Sequence, residues 1–86
     1  MVKYRKKPIV IEAMQLRLDN ASAVAGFCGG RFRIDGINQY HIEIVTAEGV
    51  AQMKAMPGDW VIHGVAGEFY PVKPGIFTET YEPVED

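Results

Sequence analysis

Chemistry in this chain is concentrated at its two ends. Lys3, Tyr4, Arg5, Lys6 and Lys7 put four cations and one aromatic ring in five consecutive positions. Arginine forks and lysine point charges both suit phosphate oxygens, and a tyrosine among them could stack on a base. A solvated basic arm is the plainer reading of the same cluster. Far along the chain, Trp60, Tyr70 and Lys73 offer two more aromatic walls and one more cation. Trp60 is the only tryptophan and reads either as core or as one wall of a ligand pocket. The ligand-binding set that these residues suggest is Tyr4, Arg5, Lys6, Lys7, Trp60, Tyr70 and Lys73. Cations spaced around aromatic walls suit a small anionic ligand with phosphates and flat bases.

Catalytic constellations are hard to assemble. Ser22 is the only serine and falls in a predicted helix, not on a strand-to-helix elbow. Cys28 would need an activating base, and neither His41 nor His63 has a context that supplies one. The carboxylates Glu12, Asp35, Glu43, Asp59 and Glu68 show no spacing that pairs an acid with a base. Gly64-Val-Ala-Gly67 lacks the Lys-Ser/Thr and the helix of a phosphate-cradling loop. The expectation is a binding protein, not an enzyme, with no metal and no cofactor. An enzyme that gathers these carboxylates in space is the least favoured reading.

A length of 86 residues allows one domain with one core, expected to span 1–86, and 48% hydrophobic residues argue against disorder. A core this small gains from association, so a homo-oligomer, dimer or tetramer, is expected. The net charge of −2 does not suit a reader of duplex nucleic acid. The asymmetry says more: the start is basic, while Glu79, Glu82, Glu85 and Asp86 make the end acidic. A single cysteine fits a reducing compartment. No apolar run is long enough to span a bilayer, and the basic start leads into Pro8-Ile9-Val10-Ile11 and then charge, so neither a membrane partner nor a signal peptide is expected.

The elements that must position these residues follow from periodicity. Ile9, Ile11 and Ala13 alternate with Val10, Glu12 and Met14, a first strand with apolar residues on both faces. Asp19-Asn20 is the expected N-cap of a helix to about Cys28, which Gly29-Gly30 ends. Short strands then run over Arg31–Ile34, His41–Thr46, Val50–Met56, Trp60–Ile62 and Glu68–Val72. The turns between them fall at Asp35-Gly36, Ala47-Glu48-Gly49, Pro57-Gly58 and a two-residue loop Val65-Ala66. Pro71 confines its strand to an edge or breaks it. After Pro74-Gly75, the spacing of Ile76, Phe77, Thr80 and Tyr81 predicts one or two helical turns that staple the C-terminus to the sheet, with Glu82–Asp86 frayed. The predicted fold is α+β: a small antiparallel β-meander of five to seven strands, one helix packed on it, and a short C-terminal helical turn. The predicted core is Ile9, Ile11, Val24, Phe27, Phe32, Ile42, Ile44, Val61, Phe69 and Phe77.

Pro57-Gly-Asp-Trp60, then Gly64-Val-Ala-Gly-Glu-Phe-Tyr-Pro-Val-Lys-Pro74 and Ile76-Phe-Thr-Glu-Thr-Tyr-Glu82, resemble a widespread family of small phage-encoded proteins. Lys3 to Ala13 is similar to that family's N-terminus, so the likeness covers about half of the chain. The resemblance extends to the anti-CBASS and anti-Thoeris sponge proteins, which capture the nucleotide alarm signals of bacterial anti-phage defence. It implies a non-catalytic viral sponge, working in the cytoplasm of the infected bacterial host, that holds a cyclic dinucleotide or a related nucleotide at subunit interfaces. A phage structural or protein-interaction module is the alternative.

Overall fold

The computed structural model describes residues 1–5, 7–37, 39–45 and 51–84. Lys6, the expected Ala47-Glu48-Gly49 turn and the last two residues lie outside them. The fold is α+β, with six antiparallel strands and two helices among the described residues. In chain order these are β1 (Glu12–Gln15), a 3-10 turn (Leu18–Asn20), α1 (Ala21–Cys28), β2 (Arg31–Gly36), β3 (Gln39–Val45), β4 (Ala51–Ala55), β5 (Trp60–His63), β6 (Phe69–Val72) and α2 (Pro74–Thr80).

The strands form two three-stranded sheets, not one meander. β2, β3 and β4 are sequential neighbours, whereas β1 pairs with β5, which pairs with β6. The turn at Pro57-Gly58 explains the choice. Proline presets φ at the first central position, and Gly58 takes φ 90° at the second. The Asp59 N–H closes the turn on the Met56 carbonyl at 2.9 Å. The same turn bonds the end of β1: the Leu16 N–H donates to Asp59 O at 2.9 Å, and the Gly58 N–H donates to Leu16 O at 2.8 Å. The Gln15 side-chain amide adds a bond to Gly58 O at 3.0 Å. β1 is thereby placed beside β5 across more than forty residues of sequence.

Three local expectations change. Asn20 precedes α1 but makes no side-chain cap. Its Oδ1 accepts from the Arg17 N–H at 2.8 Å and its Nδ2 donates to Gln15 O at 2.7 Å, so it clamps the passage from β1 into α1 instead. β2 runs through Asp35-Gly36, with a register shift between Ile34 and Gly36 that absorbs the expected turn. The β5–β6 loop has three residues between Gly64 and Glu68. The Gly64 N–H bonds to Glu68 O, the Gly67 N–H bonds to Gly64 O, and Gly67 sits at φ 86°. That is the pattern of a turn followed by a glycine bulge, which the two-residue count missed.

α1 stops as expected, at Gly29 with φ 65°, and both Gly29 and Gly30 donate to Ala25 O. Its Ala21, Val24 and Cys28 face the core with Leu16, Ile42, Ile44, Ala55 and Val61. Fully burying an aliphatic side chain of this kind stabilises by roughly 1.5–3 kcal/mol. Phe27 and Phe69 are half-buried and meet edge to face at 5.3 Å. Four expected core residues are not core: Ile11 and Phe77 are half-buried outside it. Phe32 is 36% exposed and Ile9 is 47% exposed. The register gives the reason for Ile9: β5 ends at His63 opposite Glu12, so the chain before Glu12 overruns the sheet. No described helix is long and apolar enough to cross a membrane.

Candidate functional site

Alternation divides the β1-β5-β6 sheet into two faces. Met14, Val61 and Phe69 face α1 and the core. Ala13, Gln15, Trp60, Ile62, Tyr70 and Val72 share the opposite face. α2 covers that second face, and Ile62 is fully buried there.

How α2 is fixed begins at Asp59, the one residue of the Pro-Gly-Asp turn whose carboxylate is sealed in. Asp59 is 3% exposed. One oxygen accepts from the Met56 N–H at 2.9 Å, and both lie 3.3 Å from Lys73 Nζ. Lys73 immediately precedes α2 and Pro74 opens it, the position where a missing N–H costs nothing. Thus the Asp59–Lys73 pair sets the first turn of α2 over β5. Phe77 then lies flat on Trp60, with ring centroids 4.1 Å apart and planes within 4°. One turn on, Tyr81 stacks on Phe77 at 5.2 Å. Tyr81 also hydrogen-bonds the Tyr70 hydroxyl, which, with partial burial and the nearby Glu68 charge, raises the Tyr70 pKa above its ordinary 10.0.

Beside this aromatic row lies a groove of about 550 Å³. Its walls are Trp60, Phe77 and Tyr81 on one side, the overrunning segment Ile9–Ile11 with Ala13 on another, and the tail Glu82–Val84. The volume is in the range of small-molecule sites, about 300–1,000 Å³. The lining is mostly apolar, with Thr78 and Glu82 as its polar members.

The suggested ligand-binding residues divide into two groups. Trp60 is at once pocket wall and packed aromatic: half-buried, it lines the groove and spends one ring face on Phe77. Tyr70 lies on the same sheet face, with its hydroxyl taken by Tyr81. Lys73 is spent on Asp59, although its side chain is 65% exposed. Tyr4, Arg5 and Lys7 are exposed on the segment that leads into Ile9, and Lys6 is outside the described residues. The structure therefore joins Trp60, Tyr70 and Lys73 around α2 and leaves Tyr4, Arg5 and Lys7 exposed on the chain before Ile9, outside the lining of the groove. Sequence reasoning missed Phe77, Tyr81 and the tail as walls. The signal was there, because Phe77 and Tyr81 are four apart directly after a Pro-Gly helix start.

The nucleophile and base candidates are placed elsewhere. Cys28 is buried, and burial pushes its thiol above the ordinary 9.0. His41 is 5% exposed on the other sheet, its Nδ1 donating to Asp35 Oδ2 at 2.5 Å. His63 stacks on Phe69 at 4.4 Å, on the sheet face away from Trp60. Among the described residues, no three His, Cys, Asp or Glu side chains cluster as a metal site. Compared with known proteins, the chain matches no family model, no curated protein and no solved structure.

Proposed function

We propose that this protein captures a small cyclic nucleotide without transforming it. It would act as a viral sponge for the immune signals of bacterial anti-phage defence, inside the infected host. The observation that carries the reading is the groove walled by Trp60, Phe77, Tyr81 and Ile9–Ile11; the chain just before Ile9 bears Tyr4, Arg5 and Lys7, all exposed. Aromatic walls take bases, and the cations before Ile9 take phosphates. Charged hydrogen bonds contribute about 1.5–3 kcal/mol each and base stacks about 1–3 kcal/mol each. Two of each sum to about 5–12 kcal/mol, so nanomolar affinity, about 12 kcal/mol, also needs the apolar surface that a ligand buries in the groove to offset the costs of association. Capture by mass action needs tightness and slow release, and no turnover.

The test is a melting-temperature screen against cyclic dinucleotides, cyclic trinucleotides and cyclic ADP-ribose isomers. Binding to the folded state alone raises the melting temperature by mass action. Intact ligand recovered after denaturation separates capture from hydrolysis. No shift with any of these ligands would sink the proposal. A protein-docking module is the second reading. It is favoured by the apolar lining and by the exposure of two lining residues, Val10 and Val84, 75% and 64%.

A further inference from the structure

The two edges of the β1-β5-β6 sheet differ. β6 carries Pro71 and lies against β4. β1 contains no proline and has no strand on its outer side among the described residues. Which backbone groups face that outer side follows from Leu16. Its N–H and C=O both bond toward Asp59 and Gly58, the β5 side. In an antiparallel ladder this direction alternates. The even residues Met14 and Glu12 therefore also bond inward, and the odd residues turn outward. Gln15 agrees, because its carbonyl accepts from Asn20 Nδ2 instead. Ala13 is outward in β1, and extending the strand before Glu12 would carry the same alternation to Ile11 and Ile9. Pro8, which has no N–H, would then fall on the inward side, where β5 has already ended. The free edge is thus open at Ala13, and a strand lengthened through Ile9 would open it further.

We infer that a second copy of this chain pairs antiparallel with that edge, about a two-fold axis through Val10, joining two sheets into one of six strands. Self-pairing about a two-fold normal to the sheet requires opposite residues of equal parity. Centring on Val10 sets Val10 against Val10, a non-hydrogen-bonded pair, flanked by the hydrogen-bonded pairs Ile9–Ile11 and Ile11–Ile9. It covers a valine that is 75% exposed in the single chain and supplies partners to the outward amides. The contact is isologous and closed.

The same register places Lys7 of the second copy opposite Ala13. Ala13 and Gln15 lie on the groove face, and Gln15 is paired with Trp60. Neighbouring strands are about 4.8 Å apart. A cation that the groove of one chain lacks in its lining arrives from the other chain, where Glu82 on the wall offers it a counter-charge. This last step rests on the nucleotide reading above, whereas the pairing stands on the edge geometry alone.

Light scattering and cross-linking on the ligand-free protein test the pairing. The expected mass is twice that of the 9.6 kDa chain. Val10→Lys sets two ammonium groups face to face and should weaken the dimer by at least about tenfold. Ile11→Pro removes an outward N–H that the single chain does not use and should do the same. Neither should disturb the far-ultraviolet circular dichroism. Val10→Cys should form an intermolecular disulfide under mild oxidation, because Cα atoms of such a pair are about 4.5 Å apart. Ile9→Cys and Ile11→Cys, offset in this register, should link far less, and wild-type Cys28 not at all. A wild-type monomer, or a dimer that ignores Val10→Lys and leaves Val10→Cys unlinked, overturns the inference. Since none of these readouts contains nucleotide, a negative ligand screen would leave the interface standing.

Discussion

Replacing Lys73 by methionine separates two roles that the same side chain could fill. The geometry assigns Lys73 to Asp59, so Lys73→Met should destabilise the ligand-free protein. Nζ lies 3.3 Å from both Asp59 oxygens. At an effective dielectric of about 20, the gross attraction at that distance is about 5 kcal/mol. Most of it is offset. The lysine head is 65% exposed and must surrender hydration and rotamer freedom to hold the contact. The carboxylate is 5% exposed and keeps its bond from the Met56 N–H whether or not the lysine is there. A net coupling of about 1–2 kcal/mol remains, above the usual surface pair because one partner is buried. The assay is a double-mutant cycle of Lys73→Met and Asp59→Asn by urea unfolding, with the coupling taken from the four midpoints. Asp59→Asn alone should cost more than Lys73→Met alone, because it also weakens the charged bond from the Met56 N–H that braces the Pro57-Gly58 turn. If the coupling is below about 0.3 kcal/mol, the pair does not hold α2 on the sheet. Lys73 would then be a solvated cation free to serve a ligand.

Other expectations follow from the same structure. Glu43 is held below its ordinary 4.5, first by the hydrogen bond from Arg33 Nε at 2.6 Å. A depressed carboxyl stabilises fully above its unfolded value and less as pH falls through its folded value. The urea-midpoint gap between wild type and Glu43→Gln should therefore hold from about pH 7 to about pH 5 and close below that. A gap that widens on acidification would contradict it. Gly30→Ala should cost about 1–3 kcal/mol, because its Cβ would sit 2.5 Å from the Glu43 carbonyl oxygen and 2.8 Å from Ile42 Cγ2. Gly26→Ala, in the same helix region with nothing within 4 Å, should gain about 0.5–1 kcal/mol. Equal effects of the two in urea would refute the packing argument. The Cys28 thiol, raised by burial, should react with an aromatic disulfide reagent much more slowly in the folded protein than in denaturant.

Turn chemistry made much of this fold legible in the sequence. Gly58, Gly67 and Gly29 all adopt positive φ where turn or helix-end signals stood. The strands around them fall within a few residues of where alternation put them. What the sequence did not disclose is non-local. β1 joins the late hairpin because Leu16 bonds to Gly58 and Asp59, and no periodicity in residues 9–16 names that partner. Ile9 alternates like a core residue, yet it is exposed because β5 ends opposite Glu12, a fact about a different strand. The site was half visible for the same reason. Trp60 could be singled out by type, and Lys73 by charge. That a buried carboxylate fourteen positions away takes the lysine is a matter of packing. That Phe77 covers one face of the tryptophan depends in turn on where that ion pair sets α2.

Capture of a nucleotide in the groove is tested most directly by the emission of Trp60, because it is the only tryptophan in the chain and it lines that groove. Titration with each cyclic dinucleotide, cyclic trinucleotide and cyclic ADP-ribose isomer should give a saturable change in emission for at least one ligand at submicromolar concentration. Arg5→Ala and Lys7→Ala should each shift the midpoint at least about tenfold, the loss of one charged hydrogen bond, without altering the emission of the free protein. Emission unmoved by every ligand up to millimolar concentration, or a midpoint indifferent to both substitutions, would contradict the account.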